Sequence, residues 1–457
     1  MKVFFGVFLL VLGAYATVQD DSSDKALAPD NGEKVEPYKV NVVVVILNQN
    51  HSFSIEKAKR LSDEIMGITN GKIKKQIRFT ALHPDFDDFP GGWTILPIMK
   101  NLTKKYEQAN WYYFINEFTQ FNPKLLIEEL QKHDGPAKAL FLGRALSDSR
   151  PTAIHHFAND KGSNEGSMEY PDFTAGFLMS RQLAIRLIHP ELMLSNPTII
   201  DIYYELAKLI KERFGLRVLL KNIPNLCGSS VRDKSPEEAL ECISENHFET
   251  YIAEPGKGLK DDEICYAVKT FDGNHESRLS VLKKTWLQKS VLRSKFTMYS
   301  NVADPKYGTT AVPPHIPNVE NGHCTKTMFI LQDFLDNYAD KCKWLVIVDD
   351  DTLVNTERLS RLLIQYSKMD KRSPTAIDPE TGKITESSVI DIEAVAIGER
   401  YGFNFWPVLE EEKKVPDAFP RGYDYLTGGA GYFFLIRSSF IFFHYFAILG
   451  WHCQGLQ

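Results

Sequence analysis

A chain of 457 residues with 43% hydrophobic and 25% charged residues has the composition of a soluble globular protein, long enough for two or three domains. Its formal net charge of -6 offers no basic footprint and argues against nucleic acid as a partner. Six cysteines are too few for a disulfide-built scaffold, but their even number suits an oxidising lumen.

The chain opens on Met1-Lys2, an apolar run from Val3 to Gly13, and Ala14-Tyr15-Ala16. One positive charge, a short hydrophobic stretch and small residues describe a secretory signal peptide, residues 1–16, cleaved after Ala16. The alternative is an uncut signal anchor, although the run falls short of the roughly 20 apolar residues that span a bilayer comfortably. Residues 17–37 are polar and acidic without periodicity and read as a flexible leader. Asn41 to Leu47, a β-branched apolar run, predicts a strand buried on both faces, and a helical pattern follows from Ser54 to Met66. Asn50-His51-Ser52 and Asn101-Leu102-Thr103 are acceptor sequons for glycans. Strands and helices keep alternating, which predicts an α/β protein, with a further helix near Thr198–Arg213. A polar stretch at 228–262 reads as the boundary between two halves, and within it Ser235-Pro236-Glu237-Glu238 supplies an N-cap, a first-turn proline and a capping-box acid. Cys227 and Cys242 bracket a short segment and could pair. The helical pattern between Cys324 and Cys342 would hold those two about 27 Å apart, which argues against a direct bond.

The two halves repeat one another. With Trp111 placed over Trp344, an offset of 233, residues 111–130 lie over 344–363 without a gap, matching Ile115 with Val348, Asn122 with Asn355 and Leu126 with Leu359. Residues 42–61 parallel 264–286 as strand, polar loop and helix. LGRA (142–145) parallels IGER (397–400), and YPDFTAGFLMSR (170–181) parallels YDYLTGGAGYFFLIR (423–437).

The chemistry concentrates where the apolar strand Trp344 to Val348 runs into Asp349-Asp350-Asp351. Three adjacent carboxylates repel one another, so their place at the end of a buried strand points to a cation. Oxygen donors of this type suit Mn²⁺ or Mg²⁺, and such an ion could neutralise a departing nucleotide diphosphate. The other reading is a solvated acidic turn capping the helix that starts near Asn355. At the equivalent position the first half carries Asn116-Glu117-Phe118, without the charge density for a divalent ion.

The motifs ICYAVKTFDGNHESRLSVLKKTW, WLVIVDDDTLV, IGERYGF and YDYLTGGAGYFF, in this order over roughly 260–434, resemble the Fringe-like β-1,3-glycosyltransferases. The arrangement in two halves resembles the protein O-fucose β-1,3-glucosyltransferases of the endoplasmic reticulum. The resemblance implies two GT-A-like (Rossmann-like) domains in tandem, a degenerate one over 38–250 and a second over 251–457 that is incomplete at its C-terminus. It implies transfer of a hexose, glucose, with inversion from a UDP-sugar to O-linked fucose on thrombospondin type 1 repeats of secreted or cell-surface proteins. It also implies Mn²⁺ (or Mg²⁺) as cofactor and the endoplasmic reticulum lumen or secretory pathway as location. By position, Asp349 and Asp351 match the metal acids. Lys269, Thr270, Arg278, Asp349, Asp350, Gly428 and Gly429 match the nucleotide-sugar site, with Gly431 in the same glycine-rich turn. Arg278 reads equally as a surface charge of its helix, Trp344 as core, and Glu399 and Arg400 as either ligand contacts or a surface ion pair.

The pattern breaks after Phe434. The family's catalytic aspartate beyond the glycine turn, and the histidine that completes the metal shell, have no counterpart in LIRSSFIFFHYFAILGWHCQGLQ, although His444 and His452 are present. The tail Phe440 to Trp451 is short for a membrane span, and no KDEL-like signal follows. These features lead to the expectation of a truncated or alternatively spliced form, poorly active. They keep open a non-catalytic binding or partner protein as the alternative.

Overall fold

The computed structural model describes residues 38–148, 155, 168–188, 198–248, 258–290, 295–316, 322–367, 375–377, 384–386, 395–403, 405–406, 423–426 and 431–435. The signal, leader and C-terminal tail read from the sequence lie outside them, as do Gly428 and Gly429. Among the described residues no helix is long and apolar enough to cross a membrane.

In the N-terminal half the strands that matter for the site, among others, are β1 (Val42–Ile46), β2 (Ile77–Ala81), β3 (Trp111–Ile115), β4 (Phe141–Gly143), β5 (Phe177–Ser180), β6 (Thr198–Ile199) and β7 (Leu220–Asn222). All but β6 form one mixed sheet in the order β7-β4-β5-β3-β1-β2. In the C-terminal half β8 (Ile264–Lys269), β9 (Lys295–Ser300), β10 (Thr309–Ala311), β11 (Trp344–Asp349), β12 (Val395–Gly398) and, after β13 (Arg400–Phe403) and β14 (Tyr423–Leu426), β15 (Tyr432–Leu435) form the second sheet. Its order is β10-β9-β8-β11-β15-β12.

Five strands of each sheet correspond. In the first, β1 runs parallel to β2 and β3, while β5 is antiparallel to β3 and β4. In the second, β8 runs parallel to β9 and β11, while β15 is antiparallel to β11 and β12. The registers agree as well: Val42 faces Trp111 as Ile264 faces Trp344, and Tyr113 faces Leu178 as Val346 faces Phe433. The repeats read from the sequence therefore occupy equivalent places. Asn122 and Asn355 are both N-caps, of helices α2 (Pro123–Leu130) and α5 (Thr356–Tyr366), and both side chains accept first-turn backbone N–H groups.

Apolar continuity explains why these strands are central. Every residue of β1 and β3 is buried, and opposite faces of the sheet feed two separate cores. β8, and β11 as far as Val348, do the same in the second sheet, with Trp344 fully buried as core. One backbone position in each sheet demands glycine. Gly176 (φ 76) and Gly431 (φ 82) precede β5 and β15 in the left-handed region. A Cβ would meet Tyr113 and Ile115 at 2.6 and 2.8 Å in the first case and Val348 at 2.8 Å in the second.

Local expectations resolve as follows. Helix α1 spans Ser52–Ile68, and Ser235 and Glu238 form the capping box. The helix expected from Thr198 begins only at Ile202 (α3, Ile202–Phe214), because Asp201 caps it with bonds from the Tyr203 and Tyr204 amides and Thr198–Ile199 is the strand β6. Cys227 bonds Cys242, and Cys342 bonds Cys265 rather than Cys324. The latter bond ties the start of β8 to the residues before β11 across 77 positions.

Among the described residues the halves meet at several places, two of them built by the following elements. β13 pairs antiparallel with β6 and with β14 in a small sheet that crosses from one half to the other. Tyr366 of α5 lies 4.8 Å from the His51 ring and meets Phe53 edge-on, and Phe53 packs against the second core.

At the end of β3, Glu117 is buried and accepts a bond from Ser54; burial pushes its carboxyl up to about 7. A carboxyl whose folded pKa exceeds its ordinary 4.5 contributes stability in full at lower pH and loses it as pH rises through 7. Glu117→Gln should flatten that part of the pH–stability curve in urea unfolding between about pH 5 and about pH 8. An unchanged slope would contradict the burial argument. Replacing Cys265 and Cys342 together by alanine should lower unfolding free energy by about 2–4 kcal/mol, measured by the same method.

Candidate active site

The parallel register of β8 against β11 builds the site, because it makes Lys269 and Asp349 direct partners at the carboxyl ends of both strands. Lys269 is nearly buried and its Nζ stands 3.0 Å from Asp349 Oδ1. Burial works against the ammonium, but the Tyr432 oxygen and the Asp349 carboxylate outweigh it and hold the Lys269 pKa above the ordinary lysine value. Tyr432 opens β15 directly after Gly431. Its hydroxyl accepts from Lys269 Nζ at 3.3 Å and shares a 2.7 Å bond with the Thr327 hydroxyl of α4 (Gly322–Asn337).

Asp350 points into the protein and is the fixed member of the triplet. Thr270 Oγ1 donates to its Oδ2 at 2.7 Å and Asn274 Nδ2 donates to the same atom at 2.8 Å. Arg278 Nη1 donates to Asp350 Oδ1 and to Asp351 Oδ2, each at 2.8 Å. The bond to Asp350 is the main reason the Arg278 pKa lies above its ordinary value. Lys326, one residue before Thr327, donates to the Thr270 carbonyl at 2.9 Å. Burial, then the neighbouring Lys269 charge, lowers its pKa.

Local backbone explains how Arg278 reaches the strand end. The continuous helix α1 of the first half has a broken counterpart in the second: a wide π-turn over His275–Leu279, then two short helices. That turn brings Asn274 and Arg278 over the edge of β11, as π-turns at functional sites often do. Arg278 thus belongs to the carboxylate cluster rather than to a plain helix surface.

The sequence-read residues Lys269, Thr270, Arg278, Asp349, Asp350 and Asp351 come together in one constellation. Gly428 and Gly429 lie outside the described residues, while Gly431 stands against Val348 and Ile347, on the strand that carries the acids. Arg400 lies 4.8 Å over the Trp93 ring, and burial with the Asp201 charge pushes Glu399 up to about 8. Asn274, Lys326, Thr327 and Tyr432 escaped sequence reasoning. Asn274 and Tyr432 stood inside quoted motifs, but nothing in the helical pattern around Lys326 marks it.

In the first half the same strand ends carry no such arrangement. Asn116 stands at the position of Asp349, Glu117 at that of Asp350, and Phe118 at that of Asp351. Phe118 packs edge-on against Phe248, and Asn246 donates to Asn116 Oδ1 and Thr119 Oγ1, so polar groups there bond to one another.

Comparison with known proteins bears on this geometry. Residues 259–442 match the family model described as Fringe-like. The β-1,3-glucosyltransferase of Mus musculus is 32% identical over 397 residues, 86% of this chain and 70% of that protein. The β-1,3-glucosyltransferase of Homo sapiens is 31% identical over the same share of this chain and 68% of its own length. A solved structure of a glycosyltransferase involved in glycosylation of the major capsid of PBCV-1 is 11% identical, covering 46% of this chain and 94% of that one at a TM-score of 0.27. With both mammalian proteins matched over 86% of this chain and the Fringe-like model over the half that holds the carboxylates, the chain belongs to the Fringe-like β-1,3-glucosyltransferase family of glycosyltransferases.

Proposed function

We propose that this protein transfers a hexose, glucose, from a UDP-sugar to O-linked fucose on thrombospondin type 1 repeats, with inversion and with a divalent metal ion, on a GT-A scaffold. The observation that carries the reading is the carboxylate triplet at the end of β11, flanked by Lys269 and Arg278, in a chain of this family.

The donor set suits a hard divalent ion. Asp349 and Asp351 keep side-chain exposures of 26% and 59%, whereas Asp350 is committed to Thr270, Asn274 and Arg278. Among the described residues no three His, Cys, Asp or Glu converge as a ligand group. Asp349 and Asp351 would therefore hold Mn²⁺ or Mg²⁺ with diphosphate oxygens and water, the usual arrangement for such ions at phosphate sites. When bound, the ion would supply charge neutralisation for the departing UDP. Lys269 and Arg278 add two fixed positive charges at the same edge, where they would orient the diphosphate and stabilise charge on its oxygens.

The lumen of the secretory pathway is the proposed location, supported by the Cys227–Cys242 and Cys265–Cys342 bonds, which persist in oxidising compartments. A second reading is a non-catalytic nucleotide-sugar binder. It is favoured by one feature: each carboxylate of the triplet already has a protein cation beside it.

Incubation with UDP-glucose and a fucosylated thrombospondin type 1 repeat, followed by mass spectrometry of the acceptor, separates the two readings. A hexose added in the presence of Mn²⁺ and lost with chelator is expected; UDP binding without hexose addition would leave the binder. Among single substitutions, Asp351→Asn should weaken Mn²⁺-dependent UDP binding by about tenfold or more while leaving the thermal midpoint near wild type. Asp350→Asn should act the other way round, first lowering stability by roughly 1–3 kcal/mol because a buried, bonded acceptor is lost. Equal stability loss in both variants would contradict the division of roles.

A further inference from the structure

Trp93 belongs to the core of the N-terminal half and is 7% exposed, yet it also touches the other half. The Arg400 guanidinium lies 4.8 Å over its ring, and Phe405 meets it edge-on at 6.4 Å. Next to it, Trp406 donates its indole N–H to the Thr94 carbonyl at 3.1 Å. Space is tight: a Cβ on Gly402 would come within 3.1 Å of the Trp93 ring and 2.9 Å of Phe405, and one on Gly91 would strike Phe405 at 2.3 Å. The Trp93 indole N–H is buried without an acceptor among the described residues, so the ring's value lies in its faces and edges and not in its donor.

The element clamped here leads directly to the carboxylate site. Arg400 opens β13, two positions after Gly398, the last residue of β12. Gly398 pairs with Tyr432 across β12 and β15, and a Cβ on it would meet the Gly431 carbonyl oxygen and Tyr432 Cβ at 3.2 Å each. Tyr432 in turn holds the Lys269 ammonium, which pairs with Asp349. From Trp93 to the acids the path consists of packed rings, one strand pair and two hydrogen-bonded groups.

We infer that Trp93 is a positioning residue for the donor site of the opposite half. By clamping Arg400 and Phe405 it fixes β13, and through Gly398 and Tyr432 it sets where Lys269 stands relative to Asp349. The N-terminal half, which lacks the acids, is on this view a brace for the site and not an idle copy. The inference rests on the proposed reading of the cluster as a UDP-sugar site.

The test uses the full chain with Trp93→Leu, Trp93→Phe and Arg400→Met. UDP affinity is measured by calorimetry with Mn²⁺, and hydrogen exchange is measured without nucleotide over 398–403 and 431–435, with 295–300 at the far side of the same sheet as control. Trp93→Leu and Arg400→Met should weaken UDP binding by about three- to thirtyfold and speed exchange over 431–435 while leaving 295–300 unchanged. Trp93→Phe, which keeps an aromatic face, should restore both. UDP affinity within about twofold of wild type in the folded variants, or exchange rising equally in all three segments, would overturn the inference. If Trp93→Leu does not fold, Arg400→Met decides, since it keeps the tryptophan. If wild type binds no UDP, the donor-site reading fails, and the exchange pattern still decides whether Trp93 governs Tyr432.

Discussion

Three neighbouring carboxylates at the end of a buried strand repel one another unless opposite charge is supplied at the same edge, and this requirement organises the C-terminal half. The parallel register of β8 and β11 supplies Lys269 opposite Asp349. The π-turn after β8 supplies Arg278 to Asp350 and Asp351, and Thr270 and Asn274 complete the bonds of Asp350. Lys326, bonded to the Thr270 carbonyl, adds a third basic group beside the three acids. The Lys269 ammonium and the Arg278 guanidinium stand ready beside any phosphate that a metal ion brings to this edge.

The first sheet shows what the same topology does when that requirement is absent. Its corresponding strand ends on Asn116, Glu117 and Phe118; only Glu117 of the three can carry charge, and burial raises its pKa. Phe118 covers the edge with Phe248, and the amides of Asn116 and Asn246 bond within the fold. One backbone plan thus yields an open edge with three carboxylates in one half and a closed edge with a single carboxyl in the other. The difference is made by three consecutive side chains and by whether the helix after the first strand of each half is continuous or broken.

Much of this was legible in the sequence because the strongest signals are local. The runs Val42–Ile46 and Trp344–Val348 are too uniformly apolar for anything but doubly covered strands, and the offset between Trp111 and Trp344 carries the register of both sheets. The carboxylates were visible because charged groups at the ends of such strands have few structural uses, whereas Lys269 and Thr270 were reached through the family resemblance of their motif. The role of Arg278 was not, since a helical reading of 275–284 hides the π-turn that aims it. Tyr432, Thr327 and the Trp93–Arg400 contact depend on strand order and on packing between halves, which no local pattern encodes. Thr198–Ile199 looked like the start of a helix because its pairing partner lies about two hundred residues away in β13.

Whether Asp349 and Asp351 hold a divalent cation together with UDP is the claim on which the chemistry rests, and electron paramagnetic resonance of free Mn²⁺ addresses it most directly. Stoichiometric protein and UDP should remove the signal of the aqueous ion, and replacing both aspartates by asparagine should bring it back. A signal undiminished by the wild-type chain with UDP, or equally diminished by the doubly substituted one, would contradict the account.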